Sequence, residues 1–338
     1  MTRPYRVLII KLASMGDLVH LLPALSDAKK AHPNIIFDWV VDTHFAEVAS
    51  WQRAVHTTLL TNHRKWRSSF FTKKTKEEFS SFLHQLKKNS YDLIIDAQGN
   101  IKTALLSLFV KGKKAGFDSV SIPEWGGHFF YSKKISSSKN LHAITRLREL
   151  FAKALDYPLQ NTPLDYQINT DKLIPPAIAI PPTYLLFVPI ASYPSKLWPD
   201  SSWDQLITQA KIFNCPIFIP WGNEKEKQRA LKLSHNTNVI VLPKLSLSEI
   251  GYLILHAKAV VSIDTGLSHI AAALGTPNIT LYGPTDPALT GTLGKNQIHL
   301  KAPCSCLGKK TCTQTKESFC LSHITPSQVM IELQKILF

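Results

Sequence analysis

Residues 262–269 read S-I-D-T-G-L-S-H and close the apolar run A-K-A-V-V. A carboxylate (Asp264), two hydroxyls (Thr265, Ser268), a glycine (Gly266) and an imidazole (His269) thus gather where a strand gives way to a helix. Two chemistries use such a set. Asp-Thr-Gly is the catalytic triplet of aspartic proteases, but those enzymes set it in an all-β fold and need two copies. Here one copy runs into a helical pattern over 267–275. The other reading is an anion site. The first amides of a helix lack intrahelical partners, and the helix dipole favours negative charge there. Gly266 lets a phosphate approach without a Cβ in its way. The combination points to a diphosphate held before Leu267.

Three further strand ends carry candidate groups. L-A-S-M-G-D-L at 12–18 has one glycine and no G-x-G-x-x-G, so a dinucleotide fingerprint is absent. Asp17 there is either a helix cap or a general base, and His20, one turn on, reads as packing. P-I-A-S-Y-P-S-K-L-W-P at 189–199 offers Ser192 and Lys196; an ammonium there would neutralise charge building on a departing diphosphate. P-W-G-N-E-K-E-K-Q-R at 220–229 offers Glu226, for ribose hydroxyls or for a base on its own helix. No D-x-D occurs to hold a divalent metal on a diphosphate, which favours neutralisation by lysine and helix dipole; no metal and no cofactor are expected.

These groups need a frame that brings strand ends together. Apolar strands at 6–12, 37–42, 91–99, 184–189, 216–222, 238–243, 259–264 and 278–283 alternate with helical patterns at 16–32, 76–89, 101–110, 142–155, 202–213, 224–235, 246–257, 267–275 and 326–337. All-apolar strands separated by helices predict α/β architecture with parallel sheets covered on both faces. The stretch I-P-P-A-I-A-I-P-P holds four prolines in nine residues and reads as a linker. The expected organisation is an N-terminal Rossmann-like domain over 1–173, a linker over 174–183, a second Rossmann-like domain over 184–325 and a closing helix over 326–338. Ligands of such sheets bind at the carboxyl ends of strands.

The 338 residues carry a net charge of +15, unevenly spread. Residues 1–170 hold 24 basic against 14 acidic side chains, and 64–139 hold 15 against 6. Such excess suits an anionic partner. N-H-R-K-W-R at 62–67 interleaves Arg64, Lys65 and Arg67 with an aromatic, which fits nucleic acid or a phosphorylated or carboxylated acceptor at a membrane surface. Carboxylates at Asp17 and Asp264 argue against a phosphate-backbone groove and so against nucleic acid. No apolar run reaches the roughly 18 residues that span a bilayer, and Lys11 and Asp17 interrupt the N-terminal apolar stretch, so no signal peptide is expected. The chain is expected in the cytoplasm. Cys304, Cys306, Cys312 and Cys320 cluster without paired C-x-x-C spacing and read as free thiols in a loop rather than a zinc site.

V-L-I-I-K-L-A-S-M-G-D-L, Y-D-L-I-I-D-A-Q-G, L-H-A-I-T-R-L-R-E-L, K-L-W-P, and V-V-S-I-D-T-G-L-S-H running on to Y-G-P-T-D-P resemble the lipopolysaccharide heptosyltransferases, in order and over nearly the whole chain. The resemblance implies a GT-B fold, two Rossmann-like domains facing a cleft, with the last helix packing back on the first domain. It implies inverting, metal-independent transfer of L-glycero-D-manno-heptose from ADP-heptose to a Kdo sugar of Kdo2-lipid A, by a monomer peripheral on the inner face of a Gram-negative inner membrane. Under it Asp17 is the base and Lys196 the diphosphate partner. Ser192, Glu226, Leu245, Asp264, Thr265, Gly266 and His269 join the donor site, and Arg64, Lys65, Arg67 and His142 hold the acceptor. Four positions depart from the family's pattern: Ala191 and Ser192 stand where threonines pair, Leu245 replaces a methionine near adenine, and Pro123 replaces an acceptor-side arginine. The cysteine-rich tail is more similar to members that add heptose to an already heptosylated core, the alternative acceptor.

Overall fold

The computed structural model describes residues 3–69, 72–159, 161–191, 193–236, 238–303 and 320–338, with Arg64 and Arg67 described by backbone alone. The chain divides into two compact units, Met1–Asn169 and Thr170–Phe338.

The first unit runs β1 (Tyr5–Ile10), α1 (Met15–Ala31), β2 (Ile35–Asp42), α2 (Ala46–Trp51), β3 (Val55–Thr61), α3 (His63–Ser68), α4 (Lys73–Lys88), β4 (Leu93–Asp96), α5 (Ile101–Ser107), β5 (Lys113–Phe117), β6 (Lys133–Ile135) and α6 (Ala143–Ala154). Its strands form one parallel sheet in the order β3-β2-β1-β4-β5-β6. β1 and β4 are buried on both sides, as their unbroken Val, Leu and Ile runs require. Helix α1 turns Leu18, Leu21, Leu22 and Leu25 inward and packs beside α6. Leu86 of α4 joins Leu8, Ile10, Val40 and Ile94 in one core cluster of the sheet.

The second unit runs β7 (Leu185–Val188), α7 (Asp200–Ala210), β8 (Ile217–Ile219), α8 (Glu224–Leu233), β9 (Val239–Val241), α9 (Leu247–His256), β10 (Ala259–Ile263), α10 (Gly266–Leu274), β11 (Asn278–Tyr282), α11 (Pro287–Thr290), β12 (Gln297–Lys301) and α12 (Pro326–Leu337). Its parallel order is β12-β11-β10-β7-β8-β9. Phe187, Trp198, Trp203, Val261, Ile263 and Leu281 centre its core.

Both sheets therefore have the α/β, parallel architecture the alternation predicts. Four strands carry no clear signal in the sequence: β3, β5, β6 and β12. Three of them lie at sheet edges and β5 is next to one. The boundary between units falls at 169/170, so the proline-rich stretch lies wholly in the second unit, where the Ile174 amide donates to the Ser248 carbonyl at 3.3 Å. The buried residues of α12, Val329, Met330 and Leu333, sit in the second unit's core, against α7, β10 and β11.

Candidate functional site

In each sheet the strand order reverses once. After β1 the chain goes to β2 and β3 and returns to β4 on the other side of β1. After β7 it goes to β8 and β9 and returns to β10 on the other side of β7. Loops leaving two such neighbours diverge and open a crevice at their carboxyl ends. The candidate groups of each unit fall on that edge, because all strands in a sheet run the same way.

In the second unit Lys196 closes a short 3-10 turn (Pro194–Lys196) after β7, and Asp264 follows β10. The Lys196 ammonium stands 2.5 Å from Asp264 Oδ2, and His269 Nε2 stands 3.9 Å from Oδ1. Asp264 and His269 side chains are each 7% exposed, whereas Lys196 is 27% exposed. The carboxylate is thus an inner anchor and the ammonium its outward-facing partner. The Asp264 amide donates to Leu281 O at 3.1 Å, which ties the anchor to the ladder with β11. Thr265 takes the N-cap position of α10 in extended backbone, and Gly275, left-handed at φ 75°, ends the helix. One reading is corrected. Ser268 is fully buried and turns inward: its hydroxyl (2.6 Å) and its amide (3.1 Å) both go to the Thr265 carbonyl. The helix mouth is therefore built from the Gly266 and Leu267 amides and the Thr265 side chain.

Glu226 and Leu245 lie on the same edge, after β8 and β9. Glu226 sits in the first turn of α8, where its Oε2 accepts from the Gly222 amide at 2.7 Å while Asn223 accepts from the Glu226 amide at 3.1 Å. Its partner is thus backbone, not a base on its own helix. Leu245 is half-buried just ahead of Ser246, the cap of α9. Ser192 lies outside the described residues, as do Cys304, Cys306 and Cys312; Cys215 is a buried free thiol, and Cys320 is buried at the start of the 3-10 turn before α12. Among the described residues no three His, Cys, Asp or Glu side chains are grouped to hold a metal ion.

In the first unit Ser14 caps α1 and Asp17 occupies the third helical position. Asp17 Oδ2 accepts from the Ser14 amide (2.8 Å) and hydroxyl (2.7 Å), a capping box that fixes the carboxylate at the strand end. Beneath it lies a group the sequence hid. Lys11 is buried, donates to Ala97 O at 3.1 Å, and has its ammonium pushed down by burial; the charges of Asp17 and Asp96 push it back up and that of Arg146 down. Gln98 Oε1 accepts from the Leu12 and Ala13 amides (3.0 and 3.3 Å), and Asp96 Oδ1 accepts from the Gln98 and Gly99 amides (3.0 Å each). Tyr131 donates to Asp96 Oδ2 at 2.7 Å. Burial raises the Asp96 carboxyl above its ordinary range, and these donors pull it back. The loops after β1 and β4 are so stitched into one floor under Asp17.

His142 caps α6, its Nδ1 accepting from the Ile144 amide at 3.1 Å, and its ring meets the buried His20 ring edge-on at 5.5 Å. Since His20 is one turn beyond Asp17, the structure gathers Asp17, His20 and His142 about the start of α1. Arg64, Lys65 and Arg67 ride on α3, after β3. Lys65 pairs with Glu78 at 2.7 Å, which holds the Glu78 carboxyl below its usual range. Trp66 is no stacking platform, as the interleaved pattern suggested. It is buried against Phe79 and Phe82, and its indole donates to Glu78 at 3.1 Å. The sequence reading also passed over Asp42, at the carboxyl end of β2. Wholly buried, it accepts from the His44 amide at 3.0 Å and meets the His44 and His63 imidazoles at 2.8 and 2.9 Å.

Against known proteins, residues 79–319 match the model of glycosyltransferase family 9 (heptosyltransferase). Lipopolysaccharide heptosyltransferase 1 of Pseudomonas aeruginosa is 37% identical over 98% of both chains. The protein of that name from Escherichia coli is 43% identical, covering 88% of this chain and 94% of its own. Among solved structures, the E. coli heptosyltransferase WaaC with ADP superposes with a TM-score of 0.88 at 39% identity, over 98% of this chain and 99% of that one. The E. coli ADP-heptose heptosyltransferase II shares the fold at 20% identity and a TM-score of 0.76.

Proposed function

The chain belongs to glycosyltransferase family 9, the heptosyltransferases, and on that premise we propose that it moves L-glycero-D-manno-heptose from ADP-heptose to a Kdo residue of Kdo2-lipid A, at the inner face of the inner membrane. Heptose transfer in lipopolysaccharide core synthesis is its activity. The donor is ADP-heptose, in keeping with WaaC, solved with ADP and with a fluorinated ADP-heptose. The Kdo acceptor is in keeping with relatives that carry the name heptosyltransferase 1.

The observation that carries the reading is the Lys196–Asp264 pair at the mouth of α10, on the reversal point of the second sheet. A diphosphate arriving there meets an ammonium already held in place, the Gly266 and Leu267 amides and the Thr265 hydroxyl. In the transfer, Asp17 takes the proton from a Kdo hydroxyl as that oxygen attacks the anomeric carbon of heptose. The bond from that carbon to the ADP oxygen breaks on the opposite face, so the centre inverts and the electron pair leaves with ADP. Lys196 and the helix mouth stabilise the charge that develops on the leaving diphosphate. Glu226 and Leu245 lie on the side of the adenosine. His142 and the α3 residues Arg64, Lys65 and Arg67 hold the Kdo carboxylates and lipid A phosphates.

The test is ADP release by the purified chain with ADP-heptose and either Kdo2-lipid A or a heptosylated core. Turnover on the Kdo acceptor is expected. Transfer to the heptosylated core alone would overturn the acceptor, and no release with either would overturn the reaction.

A further inference from the structure

Helix α5 packs Ala104 and the half-buried Leu106 inward yet also turns an apolar face outward. Its buried residues are Thr103, Ala104 and Ser107, and its exposed ones include Ile101, Leu105 and, at the C-cap, Leu108. Spacings of four and three place those three on one face. A globular helix ordinarily turns a polar face outward. The arrangement is not fraying. Asn100 and Thr103 cap each other, the Thr103 amide donating to Asn100 Oδ1 at 2.9 Å and the Asn100 amide to Thr103 Oγ1 at 3.3 Å.

The apolar face continues beyond the helix. The 3-10 turn Gly127–Phe130 packs on α5, and a Cβ on Gly126 would lie 3.3 Å from Ile101 Cδ1. Trp125 and Phe129, 70% and 63% exposed, stack edge-on at 5.5 Å beside it. Phe109 follows Leu108. Among the described residues, seven of the ten exposed large apolar side chains of the first unit fall between Ile101 and Phe129. Scattered apolar residues need no explanation, but a contiguous patch does.

Charge says what covers it. Lys87 holds its ammonium 5.6 Å from the Phe109 ring centroid, and within 101–129 the exposed Lys102, Lys111 and Lys113 and the half-buried Lys114 outnumber the carboxylates Asp118 and Glu124 by two to one. Tryptophan and phenylalanine rimmed by lysines suit a lipid interface: rings enter the headgroup–acyl boundary while ammonium groups reach anionic headgroups. A second copy of this chain would bring lysines against lysines. We infer that the exposed face of α5, with Trp125 and Phe129, is the surface by which the chain rests on an anionic bilayer. The inference deepens the proposed reading, in which the acceptor is embedded in a membrane.

The test pairs Leu105→Ser/Leu108→Ser and Trp125→Ser with the wild type. Co-sedimentation is measured with vesicles of phosphatidylethanolamine and phosphatidylglycerol, and heptose transfer on a deacylated, water-soluble acceptor. At least a tenfold loss of vesicle binding is expected in both variants, with unchanged turnover on the soluble acceptor and an unchanged melting temperature. Wild-type-like sedimentation of the variants would overturn the inference. So would a wild-type dimer that the substitutions dissociate without change in vesicle binding. Failure of the wild type itself to transfer heptose to the soluble acceptor would strike the proposed function and leave the vesicle result standing.

Discussion

Lys196 and Asp264 meet at 2.5 Å across the point where the second sheet reverses its strand order, though 68 residues separate them in the chain. The two partners are not equivalent. Removing Lys196 strands a carboxylate that is 7% exposed, whereas removing Asp264 frees an ammonium that can turn to water. Lys196→Met is therefore expected to cost about 2 kcal/mol of folding stability and Asp264→Asn less than about 1 kcal/mol. Urea titration of the two variants measures this order directly. Kinetically, Lys196→Met is expected to lose about 100-fold in kcat, the scale of one donor to a developing anion. Equal stability losses in the two variants would mean that the pair is not anchored from the Asp264 side.

Asp17 serves both its helix and the proposed chemistry, and the two roles separate by substitution. Asn at position 17 can still accept from Ser14, so Asp17→Asn is expected to keep most of the cap, losing at most about 1 kcal/mol. It cannot take a proton. A fall in kcat of about 10²–10⁴-fold is expected, with ADP binding by calorimetry unchanged. Near-normal turnover in a folded Asp17→Asn chain would remove the base.

Much of this was legible in the sequence, for a physical reason. Central parallel strands are apolar on both faces, so β1, β4, β7 and β10 stand out as apolar runs, β10 broken only by Ser262, and Asp17 and Asp264 mark where two of those runs give way to helices. Edge strands have only one neighbour and tolerate polar residues, so V-H-T-T-L-L-T, K-K-I and Q-I-H-L-K gave no such signal. Pairings between strand ends were hidden because no local pattern encodes them. Lys11 reads as an interruption in an apolar run, yet it is a buried ammonium held by Ala97 O. Trp66 reads as a surface aromatic among cations, yet it is core. The roles proposed for Lys196 and for the α3 cations rest on the resemblance to heptosyltransferases, because local pattern alone left them open.

The floor beneath Asp17 has a pH signature. The Tyr131 hydroxyl favours the ionised form of Asp96, opposing the burial that raises it. Tyr131→Phe removes that help, so Asp96 rises further and its ionised form becomes costlier. The loss of stability is therefore smallest in acid and grows as pH rises through the Asp96 titration, to about 1–3 kcal/mol at neutral pH. Urea unfolding of both proteins at mildly acidic and neutral pH reads the difference, and a loss independent of pH would show that Tyr131 acts through packing alone. Gly116→Ala is expected to cost a similar amount, because its Cβ would fall 2.3–2.7 Å from the Tyr131 ring.

Asp42 makes the last prediction. It is buried completely at the carboxyl end of β2, and its two oxygens meet the imidazoles of His44 and His63. His63 is the first residue of α3, so the carboxylate pins the start of the helix that carries Arg64, Lys65 and Arg67. The far side of α3 is held separately, by Trp66 and Lys65 on Glu78 of α4. Asp42→Asn keeps the shape of the side chain and the bond from the His44 amide but removes the charge that draws both imidazoles. The helix then loses one of two moorings rather than its fold. Its cations are expected to meet the acceptor's carboxylates and phosphates less often in the productive geometry. The outcome is a roughly tenfold rise in the KM for the Kdo acceptor, with kcat at saturation and the KM for ADP-heptose within about twofold of the wild type. A fall in kcat at unchanged KM would instead place Asp42 in the transfer step, and no change in either would detach α3 from acceptor binding.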